Sequence, residues 1–419
     1  MCLLAVCAAA VAQPSLEECC EKARAHYPAI RQYGLIEKTE AYSLANASRA
    51  WLPQLAFSAQ ATVQSDVVHW PDSFEKMLAA QGLQMPGLQK DQYKIQLDLQ
   101  QSLWDGGKSR SDRRLAESEA EQSRRGVDVE LYEVESRVED IYFGILMLQE
   151  RRRRTEEMCR RLRNNLEYVN ALVDNGVAMQ DDADAVQVRI LTAEQDLTQV
   201  NARERSYRKM LEIFIGEPVG EEALPLPPER LEANGLPGRP EILLFDARRN
   251  YLEAREKAVN VSLMPKIGLF AQGYYGYPGL NMFENMMNRN WSLNGIAGIR
   301  LSWNISGFYT ARNSKRMIRT SIDQVDVARD IFEFNNSLQA SQENAEIARI
   351  REALESDDRI VSLRAGIREN AEARLQEGVV NVNELLDRIS DEADSEIARD
   401  SRKIELVKAL YDLRHTLNN

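Results

Sequence analysis

This chain is written twice, and that narrows the folds open to it. YPAIRQYGLIEKTEAYSLANASRAWLPQL (27–55) runs parallel to RPEILLFDARRNYLEAREKAVNVSLMPKI (239–267). Pro28 matches Pro240, Ile30 matches Ile242 and Pro53 matches Pro265, all 212 residues apart. Further on, Leu99 matches Leu301, Leu103 matches Ile305, Arg110 matches Arg312, and Gly176-Val177 matches Gly378-Val379, now 202 residues apart. One element order with one local length difference marks an internal repeat, and two copies of one unit must fold alike. The shift falls between paired strands, where a loop can lose ten residues.

Each repeat predicts helix, strand, loop, strand, long helix, turn, helix. Strands are read from period-2 alternation, because neighbouring side chains in a strand point oppositely. In QLAFSAQATV (54–63), Leu55, Phe57, Ala59, Ala61 and Val63 share one face; Gln54, Ser58, Gln60 and Thr62 share the other. Tyr93, Ile95, Leu97 and Leu99 then alternate with Lys94, Gln96, Asp98 and Gln100. In the second repeat Ile267, Leu269, Ala271, Tyr275 and Tyr277 alternate with Lys266, Gln272 and Tyr274. The last strand sets Trp291, Leu293, Ala297, Ile299, Leu301 and Trp303 against Ser292, Asn294, Arg300, Ser302 and Asn304. Asp105-Gly106-Gly107 and Ser306-Gly307 supply the turns that end each pair.

The helices carry the other period. Val127, Leu131, Val134, Val138, Ile141, Ile145 and Leu148 recur at alternating spacings of four and three. Cys159, Leu162, Leu166, Val169 and Val173 resume the pattern, as do Ala183, Val186, Ile190, Ala193, Leu197 and Val200. These are coiled-coil seams, read as packing between neighbouring helices. At 1.5 Å per residue, 108–172 would span about 98 Å, 179–215 about 55 Å and 240–262 about 35 Å. Two short helices laid end to end therefore match one long helix. Helix 381–417 can be completed in the same way by 28–50, which suggests a helical cylinder about 100 Å long. The Pro/Gly-rich stretch 216–240 breaks the pattern and is expected to link the repeats outside the cylinder.

Composition removes several function classes. The net charge is −12, with basic residues outnumbered and scattered, which argues against a nucleic-acid surface. The run Arg151–Arg154 lies among glutamates in a helical pattern and reads as a solvated helix face. His26, His69 and His415 are dispersed and match no metal spacing, and Asp105-Gly106-Gly107 lacks a phosphate-loop continuation, so neither a catalytic site nor a cofactor is expected. Of the five cysteines, Cys2 and Cys7 fall in the apolar N-terminal run, while Cys19, Cys20 and Cys159 form neither a metal spacing nor an even disulfide framework. Residues 1–12 read as the end of a secretory signal, with Ala10-Val11-Ala12 as a small-x-small cleavage pattern. Lipidation at Cys7 is the alternative, disfavoured by Val6.

No other apolar run approaches the length of a membrane helix. If the chain meets a membrane, it does so with strands. Four amphipathic strands cannot close a barrel, and an open edge cannot lie in lipid. Either the strands form a water-facing sheet or several chains share one barrel. Their length, the aromatics near their ends (Tyr93, Tyr275, Tyr277, Trp291, Trp303) and the neutral polar opposite face fit a barrel wall.

At this point the chain resembles a known family, the TolC-type outer membrane factors. The resemblance covers nearly the whole chain from Ser15. It rests on SLEECCEKARAHYPAI, WLPQL, the LxQSLWDGGKSR junction, and DNGVAMQDDADAVQ with its counterpart QEGVVNVNELLDR. It implies a mainly α protein with membrane β structure: coiled-coil hairpins forming an α-barrel, and four strands per chain within a trimeric 12-stranded β-barrel. It implies an outer membrane exit duct reaching into the periplasm. The expected partners are two further copies, a periplasmic adaptor, an inner-membrane transporter of RND, ABC or MFS type, and outer membrane lipid.

The expected divisions are a signal (1–12), repeat one (13–215), a linker (216–238) and repeat two (239–419). Lipid would meet Leu55, Phe57, Val63, Ile95, Leu97, Ile299 and Leu301. The lumen would be lined by Gln54, Ser58, Gln60, Gln96, Arg300 and Asn304. Gly176 and Gly378 would turn the hairpin tips. By resemblance, Glu384 and Asp387 fall at the family's tunnel entrance, three apart on one helix face. Repeat one offers Asp182 and Ala185 at the matching places. Leu375 and Val380 stand where closing Tyr and Arg links would be expected, so apolar packing is expected to hold the tips. The rival reading is a periplasmic adaptor, which also carries coiled-coil hairpins; a purely structural coiled coil comes third.

Overall fold

The structure is a computed structural model and describes residues 13–83, 86–229 and 239–418. The expected signal with Cys2 and Cys7, and residues 230–238 of the linker, lie outside the described residues. In chain order the elements are α1 (Leu16–His26), α2 (Ile30–Arg49), β1 (Gln54–Val63), α3 (Asp72–Ala79), β2 (Asp91–Trp104), α4 (Lys108–Asp174) and α5 (Gln180–Ile215). Then follow α6 (Pro240–Ser262), β3 (Lys266–Tyr277), α7 (Met282–Met287), β4 (Ser292–Ser302), α8 (Gly307–Gln376) and α9 (Val382–Leu417). From α2 onward the order repeats once, element for element. The strand connections expected as loops each hold a short helix, α3 and α7; Asn281 caps α7 by accepting from the Glu284 N–H at 3.3 Å.

Two compact units divide the described chain, and neither coincides with one repeat. The first takes residues 13–35, 123–246 and 326–418; the second takes 36–122 and 247–325.

The first unit is helical. Its heptad positions are its core: Val127, Leu131, Val134, Val138, Ile141 and Ile145 of α4 are buried. Of these, Val134, Val138, Ile141 and Ile145 meet Leu211 and Ile215 of α5, Val407 and Tyr411 of α9, and Leu16, Cys19 and Ala23 of α1. A second cluster near the helix turns joins Leu162 and Val169 of α4 to Val186 and Ile190 of α5 and to Leu385, Leu386 and Ile389 of α9. Burying one such Leu, Ile or Val is worth about 1.5–3 kcal/mol, so these stripes hold the unit together.

The linker expected to run outside the helices packs into the helical core where it is described. Val219 and Leu224 are buried in the core, and the Leu224 N–H donates to Gln149 Oε1 at 3.2 Å. Arg208 is buried too; its guanidinium donates to the carbonyls of Gly220 and Glu222 (2.9 Å for the latter) and to Glu204 at 2.8 Å. An extended segment without its own ladder needs such partners for its backbone groups.

The second unit holds one antiparallel sheet in the order β1-β2-β3-β4. The central pairing, β2 with β3, joins the two repeats. Its outer strands, β1 and β4, each leave one edge unpaired within the chain.

Candidate functional site

Opposite residues in an antiparallel pair share a face. Leu55 pairs with Leu99, Phe57 with Leu97 and Ala59 with Ile95. Ile95 pairs with Tyr275 and Leu97 with Gly273; Leu269 pairs with Ile299 and Ile267 with Leu301. The seven residues assigned to lipid therefore lie on one face of one sheet, and none of their side chains is buried within the chain. Phe57, Val63 and Ile299 are 73%, 84% and 72% exposed, so a large apolar surface has no partner in one copy.

The opposite face carries Gln54, Ser58, Gln60, Gln96 and Arg300. Its polar groups are organised: Gln96 donates to Asp98 at 2.6 Å and Gln272 donates to the same carboxylate at 2.9 Å. It is less purely polar than the alternation suggested, because Phe270 and Tyr274 also point this way. Each is covered by a cation, Arg300 at 4.6 Å from the Phe270 ring centre and Lys94 at 4.3 Å from Tyr274. Asn304 lies beyond the end of β4, in the turn into α8, where it accepts from the Ser306 hydroxyl at 2.7 Å. It is a turn residue, because the strand gives way to the helix start at Gly307. Tyr277 also differs from expectation: it is buried with Leu88 and Met286, and its hydroxyl accepts from the Gln89 N–H at 3.0 Å. The aromatics that remain at the loop end of the apolar face are Tyr93, Tyr275 and Trp291, with ring centres 5.4–5.8 Å apart around Trp291.

In the helical unit the two hairpin turns are built identically. Gly176 and Gly378 have φ of +71° and +73°. After each, the next residue's N–H reaches back five residues: Val177 to Leu172 O at 2.8 Å and Val379 to Arg374 O at 2.9 Å. This is the left-handed cap that glycine adopts without a Cβ penalty. Asp182 accepts from the Met179 N–H at 3.1 Å, which satisfies an otherwise orphaned donor at the start of α5. Asn381 does the corresponding work for α9, accepting from the Glu384 N–H at 2.8 Å.

Glu384 and Asp387 both present exposed carboxylates, while Leu385 and Leu386 between them turn into the core. Glu384 has Arg388 at 3.9 Å. Asp387 is held by Arg189 of α5 at 3.0 Å, a partner that sequence reading missed. No short-range signal could have found it, since the pair is 198 residues apart. Leu375 is buried and Val380 packs against the same cluster, so both sit in the apolar contacts of the tip.

The Arg151–Arg154 run is only in part a solvated face: Arg151 and Arg153 are exposed, while Arg152 and Arg154 are partly covered. Arg151 pairs with Asp196 and Arg152 with Glu204, both at 2.9 Å on α5. Arg154 donates through Nε to Asp400 of α9 at 2.7 Å and lies 3.5 Å from Glu396. Four consecutive residues point around the whole helix, and here α4 is flanked by α5 and α9. Lower on the same helices, Glu392 is buried between Arg161 of α4, at 2.9 Å, and Arg368 of α8. Burial alone would push the Asp400 carboxyl up; the Arg399 and Arg154 guanidiniums outweigh it and hold it at about 2.

The comparisons decide what this architecture is. Residues 20–214 match the model of the outer membrane efflux protein family. The match covers the first repeat of this chain. The fold of this chain is similar over nearly its whole length to solved outer membrane channels. The OprN channel matches at TM-score 0.68 and 16% identity, covering 96% of this chain and 89% of that one. CmeC of Campylobacter jejuni matches at 0.67 and 14%, covering 96% and 85%. MtrE of Neisseria gonorrhoeae, in its open state, matches at 0.62 and 17%, covering 97% and 89%. No curated protein matches the sequence. The fold class is thus that of the TolC-type channels, mainly helical with one four-stranded antiparallel sheet in the chain. The adaptor reading falls, because these structures of matching fold over nearly the whole chain are outer membrane channels.

Proposed function

We propose that this chain is an outer membrane efflux protein, three copies of which close a twelve-stranded barrel and form the exit duct of a tripartite pump. The observation that carries this is the sheet with two unpaired edges and an exposed apolar face. Open edges and an unfilled ladder are excluded from lipid, and closure with two further copies removes both. In the helical unit, Val327, Ile331, Phe334 and Leu338 of α8 are at least half exposed at spacings of four, three and four. That is a seam awaiting a neighbouring helix. On this reading residues 13–215 and 239–419 are the two repeats, residues 216–238 tie them, and residues 1–12 direct export. The duct meets a periplasmic adaptor and, through it, an inner-membrane transporter of the RND, ABC or MFS type. Mass measurement of the detergent-extracted protein is expected to give three chains. A stable monomer that needs no detergent overturns the proposal.

The gate is assigned to the first turns of α9. A trimer gathers three copies each of Glu384 and Asp387, with Asp182 serving as a cap beside them. Arg189 neutralises Asp387 in each chain, so Glu384 carries more of the selectivity. A ring of carboxylates attracts cations and slows anions. In single-channel recordings a Glu384→Gln, Asp387→Asn double variant should lose much of its cation preference and its block by multivalent cations. Unchanged selectivity moves the constriction elsewhere.

A further inference from the structure

Where β4 passes into α8, the second unit has a groove of about 690 Å³, its lining including Leu263, Trp303, Phe308, Arg312, Lys315 and Arg316. Its upper part is apolar and aromatic. Trp303 and Phe308 pack edge to face at 6.3 Å, and Trp303 Nε1 donates to Leu263 O at 2.8 Å. Both rings remain about half exposed. Its lower part is cationic. Arg312, Lys315 and Arg316 follow the i, i+3, i+4 spacing that puts them on one face of α8. The nearby Arg319 is matched by Glu256 at 2.9 Å, but no carboxylate among the described residues pairs with the other three. Three unneutralised cations on one helix face repel each other, so an anion there would be held.

We infer that this groove binds the phosphodiester headgroup of an anionic glycerophospholipid from the periplasmic leaflet, with Trp303 and Phe308 against the glycerol and upper acyl chain. The inference rests on the outer membrane placement of the sheet. Depth supports it. The headgroup layer adds about 5–8 Å to each side of the hydrocarbon. Arg312 is five residues into α8, about 8 Å beyond its start. Side chains on a helix tilt toward its N-terminus, so those of Lys315 and Arg316, about 12–14 Å along, lean back toward the membrane. Aromatic rings at the hydrocarbon edge with long cations just outside it are the arrangement that interfacial anchors take.

The other repeat supplies a comparison. Its corresponding groove, about 550 Å³, is lined by Trp51, Trp104, Arg110 and Arg113. There Asp105 sits in the turn, capping α4 through the N–H groups of Gly107 and Ser109 at 2.8 and 2.7 Å, and Arg113 donates to Ser48 at 2.8 Å. Repeat two has uncharged Ser306 in that turn. Of the two turns only that of repeat one holds an acid, which makes the α8 groove the stronger anion site.

The test uses the full-length trimer in nanodiscs holding equal phosphatidylglycerol and phosphatidylcholine, followed by quantification of the lipid that stays bound after transfer to detergent. Wild type should retain phosphatidylglycerol about tenfold over phosphatidylcholine, since three basic side chains at about twofold each multiply to about that. An Arg312→Gln, Lys315→Gln, Arg316→Gln variant should fall to within about twofold, and an Arg312→Lys, Lys315→Arg, Arg316→Lys variant should keep the preference. Each single Gln substitution, which perturbs assembly less, should lower it about twofold. Equal retention of the two lipids by wild type overturns the inference, as does a preference that survives in the triple Gln variant. Full displacement by soluble glycerol phosphate would assign the site to free phosphate and also overturn it. A trimer that enters nanodiscs but shows no preference leaves the channel reading intact; one that does not enter them sinks both.

Discussion

Replacing Leu97 by Arg places a charge in the middle of the proposed barrel wall. Leu97 is the seventh residue of the fourteen in β2 and half exposed on the apolar face, flanked by Phe57 and by Gly273, which has no side chain to shield it. Six or seven residues to either strand end are about 20 Å, or about 15 Å of depth at a 35–45° tilt, which is the bilayer midplane. Arg there costs about 2–4 kcal/mol per chain, hence about 6–12 kcal/mol for a barrel made of three. Gln96→Arg is the control. Its side chain lies on the opposite face beside Asp98, to which Gln96 already donates, so a guanidinium there gains a carboxylate partner. The assay is the yield of heat-resistant trimer from outer membranes, with urea titration of the purified protein. Leu97→Arg should abolish or sharply reduce trimer, while Gln96→Arg should assemble normally and change conductance. Equal loss in both variants, or normal assembly of Leu97→Arg, would falsify the assignment of the faces.

Other expectations come from the helical unit. Asp400 is held at about 2, against 3.8 in an unfolded chain, so its pairing contributes about 2 kcal/mol above pH 4 and loses it as pH falls through 2. Asp400→Asn should cost that much at pH 7, and a double-mutant cycle with Arg154→Gln in chemical denaturation should show strong coupling between the two sites. Glu139 behaves oppositely: burial raises its carboxyl to about 7 although Arg414 lies 3.4 Å away. A raised acid favours the fold below its unfolded value of 4.5 and loses that advantage as pH climbs through 7. Glu139→Gln should therefore become progressively more stable than wild type between pH 4.5 and pH 8, read by thermal unfolding, and a pH-independent difference refutes this. At Gly176 and Gly378 an added Cβ meets nothing, so Ala at either costs only the left-handed backbone, about 1 kcal/mol. Hydrogen exchange at the turns should rise by about fivefold, with assembly unchanged.

The order of elements, the strand faces and the helix seams were legible in the residues alone. Each of these depends on a period of two or about 3.6 residues, and a period is a local property. Leu55 and Leu97 share a face because alternation leaves no other choice, and Gly176 and Gly378 turn the hairpins because the helical pattern stops there. Duplication then made each reading testable against its copy. The tertiary structure decided what depends on which elements become neighbours. Arg154 looked solvated because a sequence shows its own glutamates and not Asp400, 246 residues away. Arg189 meets Asp387, Val219 and Leu224 drop into the core, and Tyr277 folds under its loop for the same reason. These pairings follow from how whole helices and strands lie together, and a local pattern carries no information about distant partners. The four cations of the α4 run were legible as residues; only packing showed that they bind two helices to a third.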